Sequence, residues 1–400
     1  MDPMEVLTNY DQIEPFLQPI FSADEHVVVG YEILGRYRSE KGVESLGPFF
    51  SDHSIPEEYR IDVDNAVLEK ALAMLANSED ECFIFINRNP SFMLLDHGED
   101  LLDIIKRYIP EDKLHRIVLE LSEKDFPDEI RSLQHLLTYY QTYGIKIAVD
   151  HLAIESHLDR ITSLSPQILK VSLHHLNLQS WDSFADTVAI LGKLSRKMGA
   201  TLLFENIETV YQLQYAWRHG GRYYQGFYLA EPAHQPIRRD ALKKWFKTEC
   251  HRFIDSEKIS LEKKYDEKKK LQLDLERTIH KYRPTSSDVP LLMELAQSIE
   301  HCSFRLYVCD EDGFQRSPNI LKTKDGWVAQ MDHMEKNWSW RPYFLKTIIK
   351  MRNDQEGFLS DSYSDIEIAQ TIRTFSIPVN ENEYLFIDIS YEYLYEHDIF

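Results

Sequence analysis

The feature that leaves fewest folds open is a repeated change of hydrophobic period between residues 15 and about 230. Short apolar runs occur at 27–34 (VVVGYEIL), 82–87 (CFIFIN), 116–121 (RIVLEL), 146–150 (KIAVD), 167–172 (QILKVS), 201–206 (TLLFEN) and 223–229 (YYQGFYL). Between them lie longer amphipathic stretches, such as 62–76, 99–109, 128–144 and 182–199. Runs of the first kind read as strands and stretches of the second as helices. Gly144 and Gly199 stand where helices would stop, and Asp182 where one would be capped. Strand–helix alternation at this spacing predicts a parallel sheet. Seven or more such units, with no glycine-rich phosphate loop, favour a closed TIM-like (β/α)8 barrel over a doubly wound sheet.

How the runs end bears on function. Val27, Val28 and Val29 form a strand with no polar face, yet Glu32 follows close to its expected end. A buried carboxylate needs a partner, and an ion pair with Arg36 is one answer. The other runs lead into Asn87, Glu120, Asp150, Lys170, Glu205 and Gln225. A barrel brings such ends together on one face, where active sites lie. Glu32, Asn87, Glu120, Asp150 and Glu205 would then ring that face with oxygen ligands, beside a lysine. Such a set suits a hard cation, Mg²⁺ or Mn²⁺. Two cations could clamp a phosphodiester and activate a water. On this reading Glu32 is a metal ligand rather than half of a structural ion pair.

At 400 residues two domains are expected. The boundaries read as a barrel at 1–245, a linker helix at 246–284 and a small α+β domain at 285–400. Residues 251–283 lack Gly and Pro, and a 3–4 seam from Ile254 to Tyr282 is apolar at six of nine positions, which suits a connector or dimer helix. Beyond it, FRLYVCD (304–310), RTFSIPV (373–379) and YLFIDIS (384–390) read as strands of an antiparallel sheet with helices to one side. A net charge of -21 disfavours nucleic acid as a partner but not a small anion held through a cation. No apolar run reaches the length of a membrane span, and the acidic N-terminus does not read as a signal peptide, so a cytoplasmic location is expected. Cys82, Cys250, Cys302 and Cys309 lack metal-ligand spacing and read as buried free thiols.

From Gln18 to about Pro232 these motifs resemble, in order and spacing, the EAL family of bacterial phosphodiesterases, which open cyclic di-GMP to the linear dinucleotide. QPI (18–20) is similar to the family's opening strand. YEILGR stands where the family has E-A-L-L-R, FINRNPSF supplies its asparagine, LELSE its E-x-T-E, LKVS its lysine, FENIET its A-E-G-V-E-T, and YYQGF its glutamine. The resemblance implies that Glu32, Asn87, Glu120, Asp150 and Glu205 hold metal, with Mg²⁺ or Mn²⁺ as cofactor and Ca²⁺ as an inhibitory substitute. It implies that Gln18, Leu34, Arg36, Asn87, Asp150 and Gln225 hold the ligand, Arg36 at a phosphate. Lys170, near the attacking water, and Glu205, ligand or general base, would be catalytic. Glu123, His151 and Glu208 would support the loops.

One stretch departs from the family. Where the family has D-D-F-G-T-G-Y-S-S-L, residues 150–158 read DHLAIESHL, one residue shorter. Asp150 is kept, the second aspartate is His151, and Ala153 and Glu155 stand for the glycines. Ser172 stands for the aspartate after the lysine. An imidazole can bind Mn²⁺ but is a poor Mg²⁺ ligand, and a loop without glycines cannot take the same backbone. The expected function is therefore cyclic di-GMP binding with weak, conditional or absent hydrolysis. A fully active phosphodiesterase, with His151 replacing the aspartate, is the main alternative. The other is a scaffold whose barrel serves only for dimerisation. The C-terminal segment resembles PAS and Cache sensors more loosely, with Arg341, Tyr343 and Asp388 as candidates for a small-ligand pocket. A homodimer is expected.

Overall fold

The computed structural model describes residues 2–40, 42–76, 81–152, 156–174, 181–341 and 344–399, including every side chain of these but those of 181–183. Ala153, Glu155 and Tyr343, named above, lie outside the described residues. The chain divides into two units, Met1–His251 and Arg252–Phe400, and the helix Lys243–Tyr282 runs across the division.

The first unit is a closed barrel. Its strands are β1 Ile13–Ser22, β2 Val28–Ser39, β3 Gly42–Ser45, β4 Phe83–Asn87, β5 Ile117–Ser122, β6 Lys146–Leu152, β7 Ile168–Ser172, β8 Thr201–Glu205 and β9 Tyr223–Tyr224. Eight of them close the ring in the order β1-β9-β8-β7-β6-β5-β4-β2, with β2 returning to β1 and β3 appended to β2. The barrel is not wholly parallel. β1 is antiparallel to both β2 and β9, because only residues 23–27 join β1 to β2, and a parallel crossover needs a dozen or more. Nor does β2 end near Glu32. Its pairing with β4 stops there, but it continues to Ser39 as a hairpin arm against β1 and β3.

Seven of the eight strands give one residue to a buried interior layer: Ile20, Phe85, Val118, Ala148, Ile168, Leu203 and Tyr223. Val29 packs against it from β2. Strand side chains alternate sides with period two, so the next inward residue along the parallel strands is the polar one. Phe85 is thus followed by Asn87, Val118 by Glu120, Ala148 by Asp150, Ile168 by Lys170, Leu203 by Glu205 and Tyr223 by Gln225. On the antiparallel β1 the direction reverses, and Gln18, two residues before Ile20, pairs in register with Glu32. A dry floor therefore carries a polar layer to which all eight strands contribute.

In the second unit the strands are β10 Ser303–Asp310, β11 Asn319–Thr323, β12 Gly326–Gln330, β13 Phe358–Leu359, β14 Tyr363–Ser364, β15 Thr371–Pro378 and β16 Glu383–Ile389. They form an antiparallel sheet ordered β12-β11-β10-β16-β15-β13, with β14 on β15. Helices cover both faces rather than one. Leu271, Leu275 and Ile279 of the long helix pack with Leu292, Leu295, Leu306, Val308 and Leu385. Across the sheet, Phe344, Ile348 and Met351 pack with Tyr307, Cys309, Tyr384 and Phe386. The central strands are apolar on both faces, so both need cover. The expected helix seam holds only near its end, at Leu275, Ile279 and Tyr282. Leu261 and Tyr265 are exposed, because the buried stripe is set by Leu271 and its i+4 neighbours. None of the four cysteines forms a disulfide, and Cys250 is only partly buried.

Candidate active site

The polar layer is organised by one ammonium group. Lys170 is fully buried, and its Nζ lies 2.8 Å from Glu120, 3.1 Å from Glu32, 3.3 Å from Glu205 and 3.7 Å from Asp150. Glu32 also accepts from Asn87 Nδ2 at 2.7 Å and from Gln225 Nε2 at 2.6 Å. Gln225 is fixed from behind: its N–H donates to the Phe204 carbonyl, and its carbonyl accepts from Ile207 N–H. Gly226 permits this, since a Cβ there would collide with the Ile207 backbone. Glu32 is therefore paired with Lys170 and not with Arg36, whose guanidinium donates to the Gly35 carbonyl and to Ser45.

Four carboxylates surround that single ammonium, so three of them have no cation of their own. Burial, with Glu32 adding to it, pushes Glu120 well above the ordinary carboxylate range. Burial likewise lifts Glu205 to about 7, against the pull of Lys170. Burial also acts to raise Asp150, but Lys170 and the bonds from His151 outweigh it and lower it to about 2. The surrounding carboxylates overcome desolvation and hold Lys170 well above its usual value. Although Glu120 touches Lys170, neither of its oxygens receives an aligned hydrogen bond, and Gln225 Oε1 also lacks one. Buried oxygens left short of donors and of positive charge fit a divalent cation. Asp150, His151 and Glu205 each offer a ligand atom, and these lie within 4.8 Å of one another.

Beside this layer opens a groove of about 410 Å³, lined by Leu34, Arg36, Asn87, Glu120, Asp150 and His151 among others. Its lining also includes residues that sequence reasoning missed: Arg60, Asp64, Arg88 and Phe92. Arg88 is ion-paired with Asp64, and the Arg60 guanidinium lies 5.2 Å from the Phe92 ring centroid. Arg88 and Phe92, which fall within FINRNPSF, carried a signal in the sequence, and Arg60 and Asp64 did not. A larger open hollow of about 890 Å³ lies outside the barrel, against Asp62, Glu69, Asp100 and Asp103, far in sequence from any strand end.

The candidate supporting residues differ in what they do. Glu123 accepts from the His157 backbone N–H and ring Nδ1, each at 3.1 Å, and so ties the start of the helix Leu158–Ser163 to the end of β5. His151 is half-exposed and sits 3.1 Å from Asp150. Glu208 does not brace a loop through its carboxylate: it is exposed, and its backbone N–H is what donates, to Gln212 Oε1 at 2.7 Å. Ser172 Oγ accepts from Asn206 Nδ2 at 2.9 Å. In the second unit, Asp388 is not free to line a pocket with Arg341. Its oxygens are taken by Arg305 and Thr374, while the Arg341 guanidinium lies over Trp338 and Trp340.

A barrel with one antiparallel strand and a carboxylate–lysine layer at its mouth defines a class, and the comparisons name it. Residues 5–232 match the EAL domain family, and residues 236–400 match the EAL-domain associated signalling protein domain. The chain belongs to the EAL family. It is 47% identical to the EAL-domain containing protein YkuI of Bacillus subtilis (strain 168), over all of this chain and 99% of that protein. The crystal structure of Bacillus subtilis YkuI in complex with substrate c-di-GMP and calcium matches over the whole of both chains with a TM-score of 0.93 and 46% identity. The probable cyclic di-GMP phosphodiesterase PdeD of Escherichia coli (strain K12) is 24% identical over 57% of this chain and 42% of its own length. No described helix is long and apolar enough to cross a membrane.

Proposed function

We propose that this chain binds cyclic di-GMP at the barrel mouth with the help of a divalent cation, and that its hydrolysis of the ligand is weak, conditional or absent. The observation that carries the reading is the charge imbalance of the polar layer: four buried carboxylates around one lysine. A ligand bearing two phosphodiesters adds to that imbalance, so an acidic ring can hold it only through metal. Glu32, Asn87, Glu120, Asp150 and Glu205 are assigned to the cation, Mg²⁺ or Mn²⁺. When bound, such an ion polarises a phosphodiester and makes a bound water acidic. Arg36, half-buried at the groove, is assigned to a phosphate, and Gln18, Leu34 and Gln225 to the ligand's remaining contacts. Lys170 is held too tightly protonated to act as a base and instead orients the attacking water by donation. Glu205, at the end of β8 and 3.3 Å from Lys170 Nζ, is assigned to the cation or, as general base, to the attacking water's proton.

The altered segment after Asp150 argues for slow turnover, since an exposed imidazole stands where a second anion would help hold a second cation. The nearness of Asp150, His151 and Glu205 favours the second reading, an active enzyme with His151 as a ligand. Titration of cyclic di-GMP in Mg²⁺, Mn²⁺ or Ca²⁺, followed by chromatography for the linear product, separates them. Binding with little or no product supports weak, conditional or absent hydrolysis, rapid product in Mg²⁺ supports the active enzyme, and no binding rejects both.

We further propose a homodimer, with the second unit as a signalling domain acting on the barrel. Its support is the long helix, where Ile259, Leu261 and Tyr265 are each more than 60% exposed. Sedimentation at micromolar concentration tests this, and a monomer rejects it. Four cysteines outside any disulfide fit the reducing cytoplasm.

A further inference from the structure

The barrel mouth departs from an all-oxygen cation site at one corner, and the departure is built into the backbone. His151 follows Asp150 directly, so regular strand alternation would send its side chain to the opposite side. It does not continue regularly. His151 has φ 58°, and the β6–β7 register shifts between Val149 and Leu152. A bulge of this kind re-aims a side chain. Here it returns the ring to Asp150, with Nδ1 3.1 Å from Oδ2, while the His151 backbone N–H donates to Asp150 Oδ1 at 2.6 Å. The ring is 54% exposed and lines the groove. Glu205 completes the corner, with all three ligand atoms within 4.8 Å. Glu120, 1% exposed, adds two oxygens without an aligned hydrogen bond.

We propose that Asp150, His151 and Glu205 form a nitrogen-bearing cation site that takes Fe²⁺, Co²⁺ or Zn²⁺ most readily, and Mn²⁺, the hardest of the transition-metal ions, still in preference to Mg²⁺ or Ca²⁺. Mg²⁺ and Ca²⁺ favour carboxylate, carbonyl and water oxygens, whereas imidazole suits iron and zinc; Mn²⁺ also favours oxygen but accepts an imidazole nitrogen more readily than Mg²⁺ does. A merely structural Asp–His pair would have no use for a ring turned into an open groove within reach of a second carboxylate. The inference rests on the reading that the barrel mouth holds a divalent cation, and it names which class of cation and why.

The test uses the full-length protein with Mn²⁺ as the probe. Pulsed electron paramagnetic resonance should detect a directly coordinated ¹⁴N in the wild type. His151→Asp and His151→Gln should both lose it, with folding checked by circular dichroism and melting temperature. Calorimetric competition should show the Mn²⁺-over-Mg²⁺ affinity ratio falling by about tenfold or more in His151→Asp. A wild-type spectrum without nitrogen coupling, a coupling that survives both substitutions, or an affinity ratio unchanged in His151→Asp overturns the proposal. Adding cyclic di-GMP to the Mn²⁺-loaded wild type keeps the two ideas separable. Absence of ligand binding would defeat the proposed function while leaving the nitrogen signal as evidence for the site.

Discussion

Each unit buries a cation among several carboxylates, Lys170 in the barrel and Arg305 in the second unit, and the two clusters are resolved differently. In the second unit Arg305 donates to Asp388 and Asp365, each at 2.5 Å, and to Glu367 at 2.7 Å. The remaining oxygens of its two buried partners are filled as well: Asp388 Oδ1 by Thr374, and Asp365 Oδ1 by the backbone N–H groups of Glu367 and Ile368. In the barrel Lys170 is a point charge shared among four carboxylates at 2.8–3.7 Å, with Glu120 left without an aligned bond. A guanidinium fork satisfies its partners through geometry, whereas an ammonium leaves them partly unsatisfied. The contrast shows how a cluster that holds a fold together differs from one built to receive something. The first is complete within the protein; the second is short of positive charge.

The largest effect is expected where the cluster is complete. Arg305→Leu leaves buried carboxylates uncompensated and should cost about 3–5 kcal/mol, read as lost hydrogen-exchange protection of β10 and β16. Added Mg²⁺ or Mn²⁺ should not restore it; restoration by metal would erase the distinction between the clusters. In the barrel the same cations should stabilise the wild type. The gain is about 2.7 kcal/mol at a hundredfold excess over the dissociation constant, and it should appear as added protection of β5 and β7 and vanish with chelator. No change on adding metal would mean that the layer is complete as it stands.

Acid and base should also separate them. Glu205 is lifted from 4.5 to about 7, so the fold favours its neutral form. That contribution is fully present below about 4.5 and is lost as pH rises through about 7. Asp365 is the reverse. Burial acts to raise it, but Arg305 prevails and lowers it below 3.8, so its contribution is present above 3.8 and is lost on further acidification. Urea unfolding of the metal-free protein between pH 4.5 and pH 7 should therefore weaken the barrel and leave the second unit unchanged, and saturating Mn²⁺ should remove the slope. The smallest effect concerns turnover. His151→Asp restores one anion and should raise Mg²⁺-supported hydrolysis modestly, whereas grafting D-D-F-G-T-G-Y-S-S-L over 150–158 should raise it more. If the single change matches the graft, the ligand and not the backbone limits the rate.

Much of the barrel was legible because a strand reports its faces with period two. On the six strands β4 to β9 the apolar floor residue announces the polar residue two positions on, from Asn87 to Gln225, while Glu32, three after Val29, was read from its place in an otherwise apolar run. Gln18 came from the resemblance alone, because on an antiparallel strand the order is reversed. The direction of β1 was missed, although the five residues from Ala23 to Val27 are too few for a crossover. Arg60 and Asp64 were missed because one helical turn among many gives no sign of which groove it will face. The sheet of the second unit was legible from its strands. The fate of Asp388 was not, since it depends on Arg305 of a neighbouring strand and on Asp365 in the turn before β15.

The account turns on the barrel cluster being incomplete without metal, and one titration tests it most directly. Cyclic di-GMP is titrated calorimetrically into the full-length protein with Mn²⁺ and with chelator, for the wild type and for Glu32→Ala with folding confirmed. The account predicts binding in Mn²⁺, its loss in chelator, and an affinity at least tenfold lower in Glu32→Ala, about 1.4 kcal/mol. Equal affinity with and without metal, unchanged by Glu32→Ala, would contradict it.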